Sequence, residues 1–306
     1  MINKIYLGKQ EKLFKRISDE SIDVVFADPP FNLNKKYNSY NDNMTQEEYI
    51  KWCNKWLKEI VRVVKPTGSI FIHNIPKWAI YHASFLNNLC DFKNWISWKT
   101  TSSPPHKTCL FPNHYSILYY AKNKNKQKFY AIRKPHDRCR KCNFLLKDYG
   151  GKKHLLNQFG PMIGDVWTDI FRVRHKKKRS KHPCELPVHL IERILLMSTD
   201  EGDIILDPFM GTGTTAVASK KLGRKFIGFE KDEKYYDIIL DRLKNIKSNS
   251  KIGEYWVSWY LDNIITLREK DWDGISKYYI KPDNPKKIDK EPMVLLDKNL
   301  RGQMIF

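Results

Sequence analysis

Val24 to Leu33 read VVFADPPFNL. Apolar, β-branched residues run straight into Asp28, Pro29, Pro30 and Phe31, so a strand ends in a carboxylate, a rigid double proline and a ring. A second strand end is equally unusual. Ile204 to Ser219 read IILDPFMGTGTTAVAS. Asp207, Pro208 and Phe209 leave the strand, and Gly211 and Gly213 make a tight turn that lets a ligand approach the backbone. Thr214 opens a helix, whose N-terminus presents free N–H groups. Glu230 ends the next strand, 23 residues after Asp207. An acid at that place accepts hydrogen bonds from ribose hydroxyls. Ala216 stands where a dinucleotide fingerprint has its third glycine, and the lysine of a phosphate-binding P-loop is missing. A nucleotide-dependent oxidoreductase is therefore disfavoured.

These strand ends need a sheet to hold them. Ile22 to Ala27, Ser69 to His73, Trp95 to Lys99, Tyr115 to Ala121, Asp203 to Leu206 and Lys225 to Phe229 read as strands. A helix is expected from Thr45, with Glu48 completing a capping box. Tyr49, Trp52, Trp56, Ile60 and Val63 form its apolar face, and Pro66-Thr67-Gly68 ends it. Further helices are expected at Pro187 to Ser198, Thr214 to Leu222 and Tyr235 to Ile246. Alternating strands and helices predict an α/β fold with a doubly wound, mostly parallel sheet. In such sheets ligands bind at the carboxyl ends of the strands.

The chain has 306 residues, 41% of them hydrophobic, and a formal net charge of +21. No stretch has the unbroken apolar length that spans a bilayer, and the N-terminus lacks the apolar core of a signal peptide. Six cysteines are scattered through a large chain. A cytoplasmic protein with reduced thiols is expected. The charge is concentrated: from Lys122 to Lys181 there are 19 Lys/Arg against 4 Asp/Glu. That surplus in about a fifth of the chain is the footprint of a polyanion, nucleic acid rather than membrane. The expected organisation is a catalytic half (1–121), an inserted target-recognition region (122–181), a cofactor half (182–247) and a C-terminal extension (248–306).

The tetrapeptide and glycine loop together resemble the S-adenosyl-L-methionine-dependent DNA amino-methyltransferases. DPPF matches the family's Asp-Pro-Pro-Tyr/Phe. Its place before the glycine loop, with a basic insert between, resembles the permuted β class of adenine-N6 enzymes of restriction–modification systems. The segments KPTGSIFIH, WISWK, HYSILYYAK, KHPCELPVHLIERIL and GFEKDEKYY share in the resemblance. It implies that Asp28 and the Pro29 carbonyl accept the two N–H bonds of an exocyclic amine, pre-aimed by the prolines. Phe31 stacks on the target base, which must be flipped out of the duplex. Asp207, Phe209, Gly211, Gly213 and Thr214 surround the methionine and ribose of the cofactor, and Glu230 holds the ribose. His182 and Pro183 pack over the methionine end. One departure is Gly8-Lys9, where the family commonly has Gly-Asp facing the cofactor adenine.

Arg172, Arg174, Lys176, Lys177, Lys178 and Arg179 lie in the basic region and are read as phosphate contacts. Cys139 and Cys142, with His136 and His154, could make a zinc site. A second Cys pair is missing, so a metal-free turn is preferred. The aromatics of 255 to 260 are read as packing for the tail, with a homodimer interface as the alternative. A cognate restriction endonuclease is a further implied partner. Cytosine-N4 methylation is the nearest rival, although those enzymes more often carry Ser in place of Asp28. A non-catalytic DNA-binding protein of the same fold is the rival from another class. The intact Asp28 to Phe31 argue against it.

Overall fold

The computed structural model describes residues 2–34, 42–100, 108, 110–134, 150, 152, 161–173, 185–244, 246 and 267–268. Contacts gather the chain into two units: Met1–Phe129 with Asp165–Ser250, and Tyr130–Gly164 with Lys251–Phe306.

The first unit is built on one sheet. Its strands are β1 (Lys4–Leu7), β2 (Ile22–Ala27), β3 (Val64–Asn74), β4 (Asp91–Lys99), β5 (His114–Ala121), β7 (Val166–Trp167), β8 (Ile204–Asp207) and β9 (Lys225–Glu230), and the second unit supplies β6 (Ile132–Arg133) and β10 (Leu267–Arg268). The sheet order is β1-β9-β8-β2-β3-β5-β4-β7. All neighbours are parallel except β5, which is antiparallel to both β3 and β4. The chain winds from β2 to β3 on one side and from β8 to β9 on the other. The point between β2 and β8 is thus where the winding reverses, and ligands bind at such switch points.

Every residue of β2 is buried, which explains its unbroken apolar run in the sequence. Helix α2 (Gln46–Val63) covers it with Tyr49, Cys53, Trp56, Leu57, Ile60 and Val63. Each such side chain contributes about 1.5–3 kcal/mol when fully buried. The capping box is present: Thr45 Oγ1 accepts from the Glu48 N–H, and the Glu48 carboxylate accepts from the Thr45 N–H. Helices α1 (Gln10–Leu13), α3 (Pro76–Leu86), α4 (Val188–Ser198), α5 (Thr214–Lys221) and α6 (Glu233–Lys244) complete the unit.

One expectation needs correction. Pro66-Thr67-Gly68 does not form a turn after the helix. Strand β3 starts at Val64, and the register to β2 slips between Ile22–Val64 and Val24–Ser69. The slack is a bulge, and Gly68 is needed there because a Cβ would lie 2.6 Å from the Asp23 carbonyl oxygen. Residues 122–129 and 165–173 group with the sheet. The reason is pairing: β7 adds to β4, and Lys128 binds Asp203 at 2.7 Å. In the second unit, β6 pairs antiparallel with β10, and the Arg268 guanidinium lies 5.4 Å from the Tyr130 ring centroid.

Candidate active site

The carboxyl ends of four parallel strands stand in a row. In sheet order they carry Lys9 to Glu11 after β1, Glu230 at the end of β9, Asp207 and the glycine loop after β8, and Asp28 after β2. Of these, Lys9, Gln10, Glu11, Asp28, Asp207, Gly211 and Glu230 line one cleft of about 490 Å³, and Gly213 is not among its lining residues. The sheet therefore brings together both strand ends singled out in the sequence.

The Asp28 loop is held by its backbone. The Tyr49 hydroxyl donates to the Pro30 carbonyl at 2.6 Å, and Trp78 Nε1 donates to the Phe31 carbonyl at 2.6 Å. Asp42 accepts from the N–H groups of Asn32 and Leu33 at 2.8 and 2.9 Å. Asn32 and Met44 exchange two bonds of 2.8 Å. Asn32 has φ +51°, a left-handed conformation that asparagine tolerates well. Among the described residues, the Pro29 carbonyl and Asp28 Oδ2 take no hydrogen bond, whereas Asp28 Oδ1 meets His73 Nδ1 at 2.7 Å. Phe31 faces the His73 ring at 5.4 Å and the Tyr115 ring at 5.8 Å. Trp98 lines the same end of the cleft.

The glycine loop is shaped by left-handed backbone at Gly211 (φ +54°) and Gly213 (φ +82°). Gly213 is the N-cap of α5 and, having no side chain, makes no capping hydrogen bond to the first N–H groups of the helix. Asp207 accepts from the Thr215 hydroxyl at 2.6 Å and the Phe209 N–H at 2.9 Å. Burial pushes the Asp207 carboxyl up to about 7, the charges of Asp28 and Glu230 add to this, and its two hydrogen bonds oppose it. Glu230 is raised by burial too. Its Oε1 accepts from the N–H groups of Lys231 and Asp232, and Oε2 accepts from Gly211 N–H at 2.7 Å. Glu230 thus braces two loops, a role the sequence did not suggest. Each oxygen keeps further acceptor capacity. Thr214 Oγ1 donates to the Leu186 carbonyl at 3.2 Å, which ties the KHPCELP segment to the loop.

Lys9, in place of the acid, is the N-cap of α1, and Glu11 lines the cleft in the first turn. Glu11 Oε1 accepts from Trp52 Nε1 and Gln10 Nε2, both at 3.2 Å. Arg172 lines the cleft with its guanidinium 5.5 Å from the Tyr115 centroid. Arg174, Lys176, Lys177, Lys178, Arg179, His182 and Pro183 lie outside the described residues, as do Cys139, Cys142, His136 and His154. Among the described residues no group of three or more His, Cys, Asp or Glu is placed to hold a metal, and no helix is long and apolar enough to cross a membrane. The residues that sequence reasoning missed are Asp42, Tyr49, Trp78 and His73. Tyr49 was read as part of an apolar face; its hydroxyl was the unused signal.

A parallel sheet with a glycine loop and an acid-proline-proline-aromatic tip at its switch point defines a Rossmann-like transferase site. Residues 22–241 match the DNA methylase family model (N6_N4_Mtase), and the chain belongs to that family. It is 44% identical over 252 residues to the type II methyltransferase M.BamHI of Bacillus amyloliquefaciens, covering 82% of this chain and 59% of that protein. It is 32% identical to the type II methyltransferase M.HpaI of Haemophilus parainfluenzae, covering 97% of each. The crystal structure of the M1.HpyAVI–SAM complex superposes with a TM-score of 0.53 at 24% identity, covering 79% of this chain and 98% of that one. At that identity the likeness speaks for the fold.

Proposed function

We propose that the protein transfers a methyl group from S-adenosylmethionine to the N6 amine of a flipped-out adenine in double-stranded DNA. The observation that carries this reading is a pair of acceptors that no described residue claims, Asp28 Oδ2 and the Pro29 carbonyl, on the cleft that also holds Gly211 of the glycine loop. An amine that gives one N–H to each has its lone pair aimed away from both. When bound, S-adenosylmethionine supplies the methyl carbon, whose bond to sulfur breaks with its electron pair as the bond to the amine nitrogen forms. The proton then lost by the amine is accepted at Asp28 or by water.

The residues fit such a cofactor. Its sulfonium and ammonium groups are cations, and Asp207, Glu230 and Asp232 give an otherwise basic protein an acidic cofactor side to the cleft. On this reading the methyl end lies at β2 and β8, the ribose at β9 and the adenine beyond it at β1. Glu11 at that end offers a carboxylate oxygen in place of the acid missing at Lys9. The name of the structural relative states a complex with this cofactor, and the names of the sequence relatives state type II methylation. A cognate restriction endonuclease reading the same site is proposed on that ground. Adenine is preferred to cytosine because Asp28 stands where cytosine-N4 enzymes more often carry Ser.

Asp28→Ala tests the assignment. Cofactor affinity should stay near wild type, because this carboxylate faces the amine and not the ribose. Single-turnover methyl transfer should fall about a hundredfold or more, as on loss of one preorganised transition-state contact. Transfer at the wild-type rate would remove Asp28 from the chemistry.

A further inference from the structure

His73 lies near the end of β3, opposite Ile117 of β5. It is 2% exposed, and its ring is enclosed by Phe31, Trp98 and Tyr115, with centroids at 5.4, 5.6 and 5.0 Å. Nδ1 reaches Asp28 Oδ1 at 2.7 Å. An ionised carboxylate only accepts, so Nδ1 carries the proton. Nε2 is buried with no partner among the described residues. A polar nitrogen left unmatched among aromatic rings works against stability. Phenylalanine would fill this shell of rings at least as well. The fold alone does not call for histidine here.

We infer that His73 is a positioning residue for Asp28, on the reading of Asp28 given above. The Asp28 side chain is 21% exposed and stands at the tip of a strand, where a free carboxylate rotates. The Nδ1–H bond engages Oδ1 and fixes the carboxylate plane. Oδ2 is then the oxygen presented to the amine, beside the Pro29 carbonyl. The rings packed on His73 hold the imidazole, and the imidazole holds the acid. Tyr49, Trp78 and Asp42 fix the backbone of the same loop; His73 fixes its side chain. Positioning of this kind raises turnover and leaves cofactor binding alone.

Two substitutions separate positioning from packing. His73→Phe keeps the ring and loses the donor. His73→Asn loses the outer ring atoms but places its amide nitrogen where Nδ1 stood. Single-turnover methyl transfer, cofactor dissociation constant and thermal midpoint are measured for both. His73→Phe should slow transfer by about tenfold to a hundredfold, since a misplaced group costs up to roughly that much. Its cofactor affinity should hold, and its midpoint should be equal or higher, because the unmatched Nε2 is gone. His73→Asn should recover most of the rate despite a lower midpoint. If the Phe variant does not fold, His73→Leu serves as the donor-less variant in the same comparison with Asn. Transfer at the wild-type rate in the donor-less variant, or an Asn variant no faster than it, would overturn the inference. Asp28→Ala in the same assay separates the two readings. If it transfers normally, the proposed function fails with the inference; if it loses transfer while His73→Phe keeps the wild-type rate, the role of His73 alone fails.

Discussion

On the proposed function, Asp207 is the residue whose charge state should couple most directly to the cofactor. Its carboxyl is raised to about 7 by burial and by the carboxylates of Asp28 and Glu230. A raised acid binds its proton more tightly in the folded protein than in the unfolded chain. The stability it lends is full below the unfolded value near 4 and is lost as pH rises through about 7. A bound cation favours the ionised form, so the cofactor should drive the proton off. Titration calorimetry at pH 7 in buffers of different ionisation enthalpy should show a buffer-dependent heat from proton release, and affinity should weaken as pH falls below 7. A heat independent of buffer would mean that Asp207 does not change charge on binding. At this scale, legibility followed locality. Asp28, Asp207 and Glu230 could be read because each sits at a strand end beside Pro or Gly, or at a set distance from one. His73, Tyr49, Trp78 and Asp42 could not. Their partners lie between 9 and 47 residues away in sequence, and only the fold brings them together.

Gly213 carries the corresponding argument for elements. It turns the chain from β8 into α5 with φ +82°, and a Cβ there would meet Ile239 of α6 at 2.8 Å. Ile239 is fully buried, so the clash has no easy outlet. Gly213→Ala should cost about 1–3 kcal/mol, the usual penalty for a side chain held in a disfavoured backbone region. Denaturant unfolding reads this as a lower midpoint, with weaker cofactor binding because the α5 N-terminus shifts. An unchanged midpoint would show that the loop relaxes freely. The longer elements were legible, since α2 has a capping box and a continuous apolar face. The strand β1 and the helix α1 are too short to show a period. Helix α3, PKWAIYHASFL, buries Trp78, Ala79, His82 and Leu86, but apolar residues on its other faces blur the pattern. Gly68 was misread as a helix stop because glycine marks bulges and turns alike.

The whole molecule joins a strong positive charge to an acidic cleft. The charge of +21 suits a polyanionic duplex, while the carboxylates at the strand ends suit a cationic methyl donor. Not every basic residue in the charged region serves a partner. Lys128 is spent on Asp203 and Asp200 at 2.7 and 3.6 Å, and Arg172 lies against Tyr115 at the cleft. Charge counting located the region without assigning its members, because a sequence does not show which lysines find an acid inside the fold. The measurement that bears most directly on the central claim is the identity of the methylated base. The protein is incubated with double-stranded DNA and S-adenosylmethionine carrying a labelled methyl group, and the DNA is then digested to nucleosides and separated. The account predicts label in N6-methyl-2′-deoxyadenosine and nowhere else. Label on the cytosine amine would keep the acceptor geometry and displace the choice of adenine; label on a ring carbon, or none in the DNA, would contradict amine methylation by Asp28 and Pro29.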